Sequence, residues 1–158
     1  MWYTVAIMCE NHEFIFDVDK AFAAQLVYIM EASPEHSLQE HQASHRIGVY
    51  VLYRVLSKNP TYVGQAVGTG GVAQRLNDHF KKIQGRNNIS VEEMTCRYLY
   101  IRQRWEISRA EEALIKKYNP EWNGIPGFSM HVPGKGRPGM PDYINEWDKK
   151  FPRTPKSN

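Results

Sequence analysis

Residues 46–67, RIGVYVLYRVLSKNPTYVGQAV, constrain the fold more than any other stretch. GVYVLYRV and TYVGQAV are rich in β-branched and aromatic residues, and LSKNP between them carries the Asn59-Pro60 turn signal, so the segment predicts two joined strands. Each strand sets a tyrosine, Tyr50 or Tyr62, two residues from a glycine, Gly48 or Gly64. Glycine in or beside a strand costs about 0.5–1 kcal/mol relative to alanine, so its placement needs a reason. Alternation puts Tyr50 on the side of Leu52, opposite Val49, Val51 and Tyr53. Such tyrosines either pack in a core or stand where the missing side chains clear room for a ligand backbone, of which a phosphodiester is one.

The flanking pattern extends this hairpin into a domain. GTGG opens a helix, VAQRLNDHFKKIQ, with Val72, Leu76, Phe80 and Ile83 on one face. CRYLYIR (96–102) is a third strand, and SRAEEALIKKYN is a second helix stopped by Pro120. The predicted class is α+β, a small, mostly antiparallel three-stranded sheet flanked by helices. Upstream, EFIFDV (13–18) alternates as a strand, and Asp19 caps a helix over KAFAAQLVYIMEA; PEHSLQEHQASH is polar, lacks an apolar period and reads as a linker. Downstream, GIPGFSMHVPGKGRPGMPDY reads as a long loop. The expected organisation is one domain in three parts: an acidic extension at 1–45, a core at 46–123 and a C-terminal loop segment at 124–158.

A net charge of +3 hides a division. Residues 1–45 hold seven acids and one base, Lys20, while residues 46–158 hold 19 bases and 10 acids. The basic part points to a polyanion partner, although solubility also selects surface charge. Cys9 and Cys96 fit neither a disulfide framework nor a zinc site, and the start MWYTVAIMCENHE lacks the flank and apolar run of a signal peptide. AFAAQLVYIM is too short to span a bilayer. A reducing cytoplasm, without a membrane partner, is the expected setting. His36, His41 and His45 lack the spacing of a metal motif and suit a solvated linker.

Three groups of residues could carry chemistry, each with a plainer reading. Ser108-x-x-Glu111 fits a helix capping box, yet Glu111 aligns with Leu114, Ile115 and Tyr118, where a carboxylate is costly unless it meets a cation or metal. Arg75, His79 and Lys82 follow i, i+4, i+7 spacing, which makes either a solvated edge or a cationic ridge for a phosphate, with His79 able to carry a proton. Lys135 and Arg137, between glycines, could approach phosphates or guanine edges, or belong to a structural loop. PGKGR is a poor phosphate loop, because G-K-[ST] is absent.

Taken in order, these residues resemble a known family. Gly48-Val49-Tyr50, then Tyr62-Val63-Gly64, Arg75 and His79 in RLNDHF, Glu111 in EEALIKKYNPEWN and Asn123 closing that motif are similar to the signature of the GIY-YIG nucleases. GFSMHVPGKGR, then Trp147-Asp148 and Pro152-Arg153, resemble the end of the type II restriction endonucleases built on that fold. Gln65, where many relatives have lysine, and Met130, in place of an expected polar residue, depart from the pattern.

The resemblance implies a Mg2+-dependent DNA endonuclease, with Mn2+ as a substitute, acting on double-stranded DNA. It makes Glu111 the metal ligand and Arg75 the holder of the non-bridging oxygens. Tyr50 becomes the candidate base, with Tyr62 and His79 orienting or relaying protons. Asn123 would position the Glu111 helix or a tyrosine, unless it is only a turn residue after Trp122. His131, Lys135, Arg137, Lys82 and Arg153 become candidates for DNA contact. A base role asks for a Tyr50 pKa below the usual value near ~10. Cutting both strands at a palindromic, GC-rich site implies a homodimer, and a cognate DNA methyltransferase is a possible companion. A repair or homing nickase, and a non-catalytic nucleic-acid-binding module, are the competing readings.

Overall fold

The computed structural model describes residues 15–55, 57–128 and 144–155. Its strands in chain order are β1 (His36–Ser37), β2 (Gly48–Arg54), β3 (Tyr62–Ala66) and β4 (Met94–Tyr100), and its helices are α1 (Val18–Ala32), α2 (Gly71–Ile83), α3 (Arg104–Tyr118) and α4 (Glu146–Lys150). The hairpin forms as the sequence predicts, antiparallel, with Tyr50 opposite Gly64 and Leu52 opposite Tyr62. β4 joins the other side of β2, which sets Tyr98 opposite Tyr50.

The sheet has four strands rather than three, in the order β1-β4-β2-β3. The extra strand comes from the polar linker, where His36 and Ser37 pair with Cys96 and Thr95. Two residues are too few to show a period, and the segment is fixed by backbone bonds and one apolar anchor. Leu38 is fully buried, and its N–H donates to the Met94 carbonyl at 2.9 Å. The same linker finishes α2. The amides of Val72 and Ala73 donate to the carbonyls of Arg46 and Ser44, which satisfies two of the groups a helix start leaves open.

The N-terminal expectations also shift. Residues 15–17 form no strand, and Val18 already belongs to α1, because Asp17 rather than Asp19 caps it by accepting from the Lys20 amide at 2.8 Å. α3 starts at Arg104, so Ser108 and Glu111 lie inside the helix and make no capping box.

Alternation gives the sheet two differently used faces. Val49, Val51 and Val63 pack with Leu26 and Met30 of α1 and with Ile107, Ala110 and Leu114 of α3. Tyr50, Leu52 and Tyr62 pack under Val72 and Leu76 of α2, beside Trp122, Phe128, Trp147 and Phe151. The tail supplying Trp147 and Phe151 includes a helix the loop reading did not foresee. Arg86 pins it: the buried guanidinium donates to Asp148 at 2.6 Å and to the Phe151 carbonyl at 2.8 Å. Among the described residues no helix is long and apolar enough to cross a membrane.

The hairpin glycines serve the fold itself. A Cβ at Gly64 would strike the rings of Tyr50 and Tyr62, and one at Gly48 would strike the Leu99 carbonyl. The space beside the tyrosines is therefore taken by the Tyr50 ring and by the neighbouring strand, not left for a ligand backbone.

Candidate active site

Alternation along β2 turns Tyr50 under α2, where it is wholly buried. Its hydroxyl lies 2.8 Å from His79 Nε2. The Tyr62 ring is 6.1 Å from that of Tyr50 and 5.0 Å from that of His79. Phe128 closes the cluster, stacked on His79 at 4.9 Å and edge-on to Tyr62 at 4.9 Å. Burial pushes the Tyr50 pKa well above its ordinary value and neighbouring Tyr62 adds to this, while Arg75 opposes. Burial likewise raises Tyr62, with Arg75 opposing and Glu111 adding to the rise.

Burial, then the charges of Arg75 and Lys82, pushes the His79 pKa down to about 3. The imidazole is neutral at physiological pH. Its Nδ1 is buried and has no hydrogen-bond partner. An orphan acceptor is tolerated better than an orphan N–H, so the favoured tautomer carries its proton on Nε2 and donates it to the Tyr50 oxygen.

β3 is an edge strand, and its outward-facing backbone groups are met in sequence by the chain itself. The Thr61 carbonyl accepts from the Trp122 amide at 2.9 Å. Asn123 Oδ1 accepts from the Val63 N–H at 2.9 Å, and Asn123 Nδ2 donates to the Val63 carbonyl at 2.8 Å. One step further, Gln65 lies beside the Glu111 carboxylate, and its backbone N–H and side chain both favour the charged form. Asn123 thus fixes the strand that carries Tyr62 and Gly64. Asn123→Ala leaves two backbone groups unpaired at this edge and is expected to lower the unfolding free energy by about 2 kcal/mol, read by urea denaturation.

Glu111, half-buried on α3, has its pKa raised by burial against the pull of Arg75 and Gln65. Arg75 stands exposed on α2, close enough to both tyrosyl hydroxyls for its charge to pull their pKa values down. α2 and α3 cover opposite faces of the sheet, so Arg75 and Glu111 face each other around the β3 edge. The structure therefore brings Tyr50, Tyr62, Arg75, His79 and Glu111 together, with Asn123 behind them.

The other expected residues are placed differently. Lys82 does not continue one ridge with Arg75: its ammonium donates to the carbonyls of Gly127 and, at 2.8 Å, Phe128. Arg153 is exposed and bridges Arg86 through the backbone. His131, Lys135 and Arg137, with Met130, lie outside the described residues. Phe128, Gln65 and Ser108 belong to the site's surroundings, yet sequence reasoning gave them no such part. Gln65 stood out as a departure from the family pattern, which was the available signal.

Two tyrosines, an arginine, a histidine and a glutamate are thus gathered on a hairpin and two helices. Residues 51–154, about two-thirds of the chain, match the family model described as the Eco29kI GIY-YIG domain. The chain belongs to this family. No curated protein matches it. The Eco29kI GIY-YIG match begins one residue after Tyr50 and extends through α4 to Thr154, so the tail helix and its aromatic anchors lie within the matched range. Membership makes the protein a restriction-type nuclease with DNA as its partner, in a superfamily that generally uses divalent metal ions.

The residues present fit such an ion. Glu111 is a half-buried carboxylate whose charge burial disfavours, and a cation would relieve that cost. Mg2+ is commonly held by one or two carboxylates together with substrate phosphates and water, which one glutamate facing an arginine and two hydroxyls can accommodate.

Proposed function

We propose that the protein is a type II restriction endonuclease that hydrolyses both strands of DNA at a short, palindromic, GC-rich site. It works as a homodimer with Mg2+ and is accompanied in its host by a matching methyltransferase. The observation that carries this reading is the meeting of Arg75, Glu111 and two tyrosyl hydroxyls at the β3 edge.

Glu111 would hold the metal, which supplies positive charge to the phosphate and the leaving oxygen. Arg75 binds the non-bridging oxygens as charge builds on them. Tyr50 takes the proton of the attacking water. His79 stays neutral, as a pKa of about 3 makes it a poor proton acceptor, and it serves by donating to the Tyr50 oxygen. Arg75 opposes the rise in the Tyr50 pKa but leaves it well above the ordinary value. The base role asks for a lowered pKa and so needs the further pull of a bound cation. Tyr62 orients the second hydroxyl beside Arg75. Among the expected DNA contacts, His131, Lys135 and Arg137 serve recognition, and Lys82 and Arg153 support the tail from which they extend.

Digestion of bacteriophage-type DNA with and without Mg2+, beside Glu111→Ala, tests the reading. Discrete bands that need both the metal and Glu111 are expected, and sequencing their ends gives the site. Nicked circles without linear product would replace it by a nickase, and binding without any cleavage would replace it by a non-catalytic module.

A further inference from the structure

Glu111 is a long side chain on a helix surface, and nothing in α3 itself fixes where its carboxylate points. The structure supplies that constraint from the neighbouring strand. Gln65 lies beside the carboxylate, and both its backbone N–H and its side chain favour the ionised form. A backbone donor is fixed by β3, whereas the side-chain amide is mobile unless its other end is held. Ser108 holds it: one turn before Glu111 on the same helix, its hydroxyl donates to Gln65 Oε1 at 3.3 Å. The carboxamide then spans the gap between helix and strand, with its oxygen on Ser108 and its N–H₂ left to face Glu111.

We infer that Gln65 and Ser108 are positioning residues for Glu111, forming a relay Ser108–Gln65–Glu111 that presents the carboxylate to Arg75 and to a divalent cation. The inference rests on Glu111 being the metal ligand. Neither Gln65 nor Ser108 touches substrate or metal in this scheme. Gln65 holds the carboxylate in one orientation, and Ser108 selects which end of the carboxamide faces it. Outer partners of metal ligands are worth roughly 10–100-fold in metal affinity or activity when removed.

Gln65→Met keeps the length of the side chain and removes its donor, while the backbone N–H stays. The full-length protein would be titrated with Mn2+ and free ion followed by electron paramagnetic resonance, with Glu111→Gln as reference and cleavage kinetics and thermal unfolding measured alongside. The expected result is Mn2+ affinity about 10-fold weaker or more in Gln65→Met, kcat falling in step, and KM for DNA and the melting temperature unchanged. Ser108→Ala is expected to lie between wild type and Gln65→Met, and Ser108→Thr, which keeps the hydroxyl, to restore wild-type binding. Gln65→Met that binds Mn2+ as the wild type does, while Glu111→Gln loses it, would overturn the relay and leave the metal assignment standing. Equal binding by Glu111→Gln and wild type would remove the metal assignment and the relay with it. A fall in melting temperature that accounts for the lost activity would show Gln65 to be merely structural.

Discussion

Arg75→Ala is expected to slow DNA cleavage by about 10³-fold while leaving the unfolding midpoint almost where it was. The side chain is exposed, so its removal opens no cavity, and the buried Tyr50 hydroxyl keeps His79 Nε2 as a partner. Its chemical surroundings are another matter, because it opposes the upward pKa shifts of Tyr50, Tyr62 and Glu111 at once. Losing one preorganised donor at a site of developing charge typically costs about 10²–10³ in rate, and loss of the shared cation adds to that. Arg75→Lys separates the two parts. It keeps the charge but not the planar fork that binds two oxygens together, so it is expected to recover only part of the rate. Single-turnover cleavage with saturating enzyme measures both variants, and an Arg75→Ala protein that cuts within tenfold of wild type would remove Arg75 from the mechanism.

His79 is expected to make the fold acid-sensitive. Its folded pKa of about 3 lies below the 6.5 of a free imidazole, so at mildly acid pH the unfolded chain binds a proton that the folded chain refuses. The stabilisation is whole above about pH 6.5 and is lost as pH falls toward 3. Between pH 7 and pH 4.5 this single group should account for about 2–3 kcal/mol of lost stability. His79→Gln removes the titration, so its unfolding free energy should be lower at pH 7 but fall less steeply with acid. Urea denaturation at several pH values checks this, and parallel slopes for the two proteins would show that His79 contributes none of the acid sensitivity.

The hairpin and both main helices were legible in the sequence because each rests on local periodicity. The grouping of Tyr50, Tyr62, Arg75, His79, Glu111 and Asn123 came instead from the resemblance to the GIY-YIG signature. What could not be read was produced by contacts between distant segments. β1 has two residues and no period, and it exists because β4 offers a free edge. α4 is short, and its register is set by Arg86 and by aromatic packing on Trp122 rather than by its own pattern. The spacing of Arg75, His79 and Lys82 described a single ridge, yet burial divides it: one residue faces the site, one is sealed beneath it and one holds the start of the tail. Asn123 was expected to position the Glu111 helix or a tyrosine, or to be only a turn residue, and its bonds go to the backbone of the strand that carries Tyr62.

The closed edge of β3 also bears on how two copies can meet. An unpaired strand edge is a template for another chain, and here Trp122 occupies the Thr61 carbonyl and Asn123 both backbone groups of Val63. At the opposite border of the described sheet, β1 extends for only two residues and gives a second chain little to zip onto. Among the described residues, neither border favours a continuous sheet across two molecules. A strand whose outer edge is clamped at Thr61 and Val63 is also one that neither a misregistered neighbour nor an unfolding copy can readily recruit.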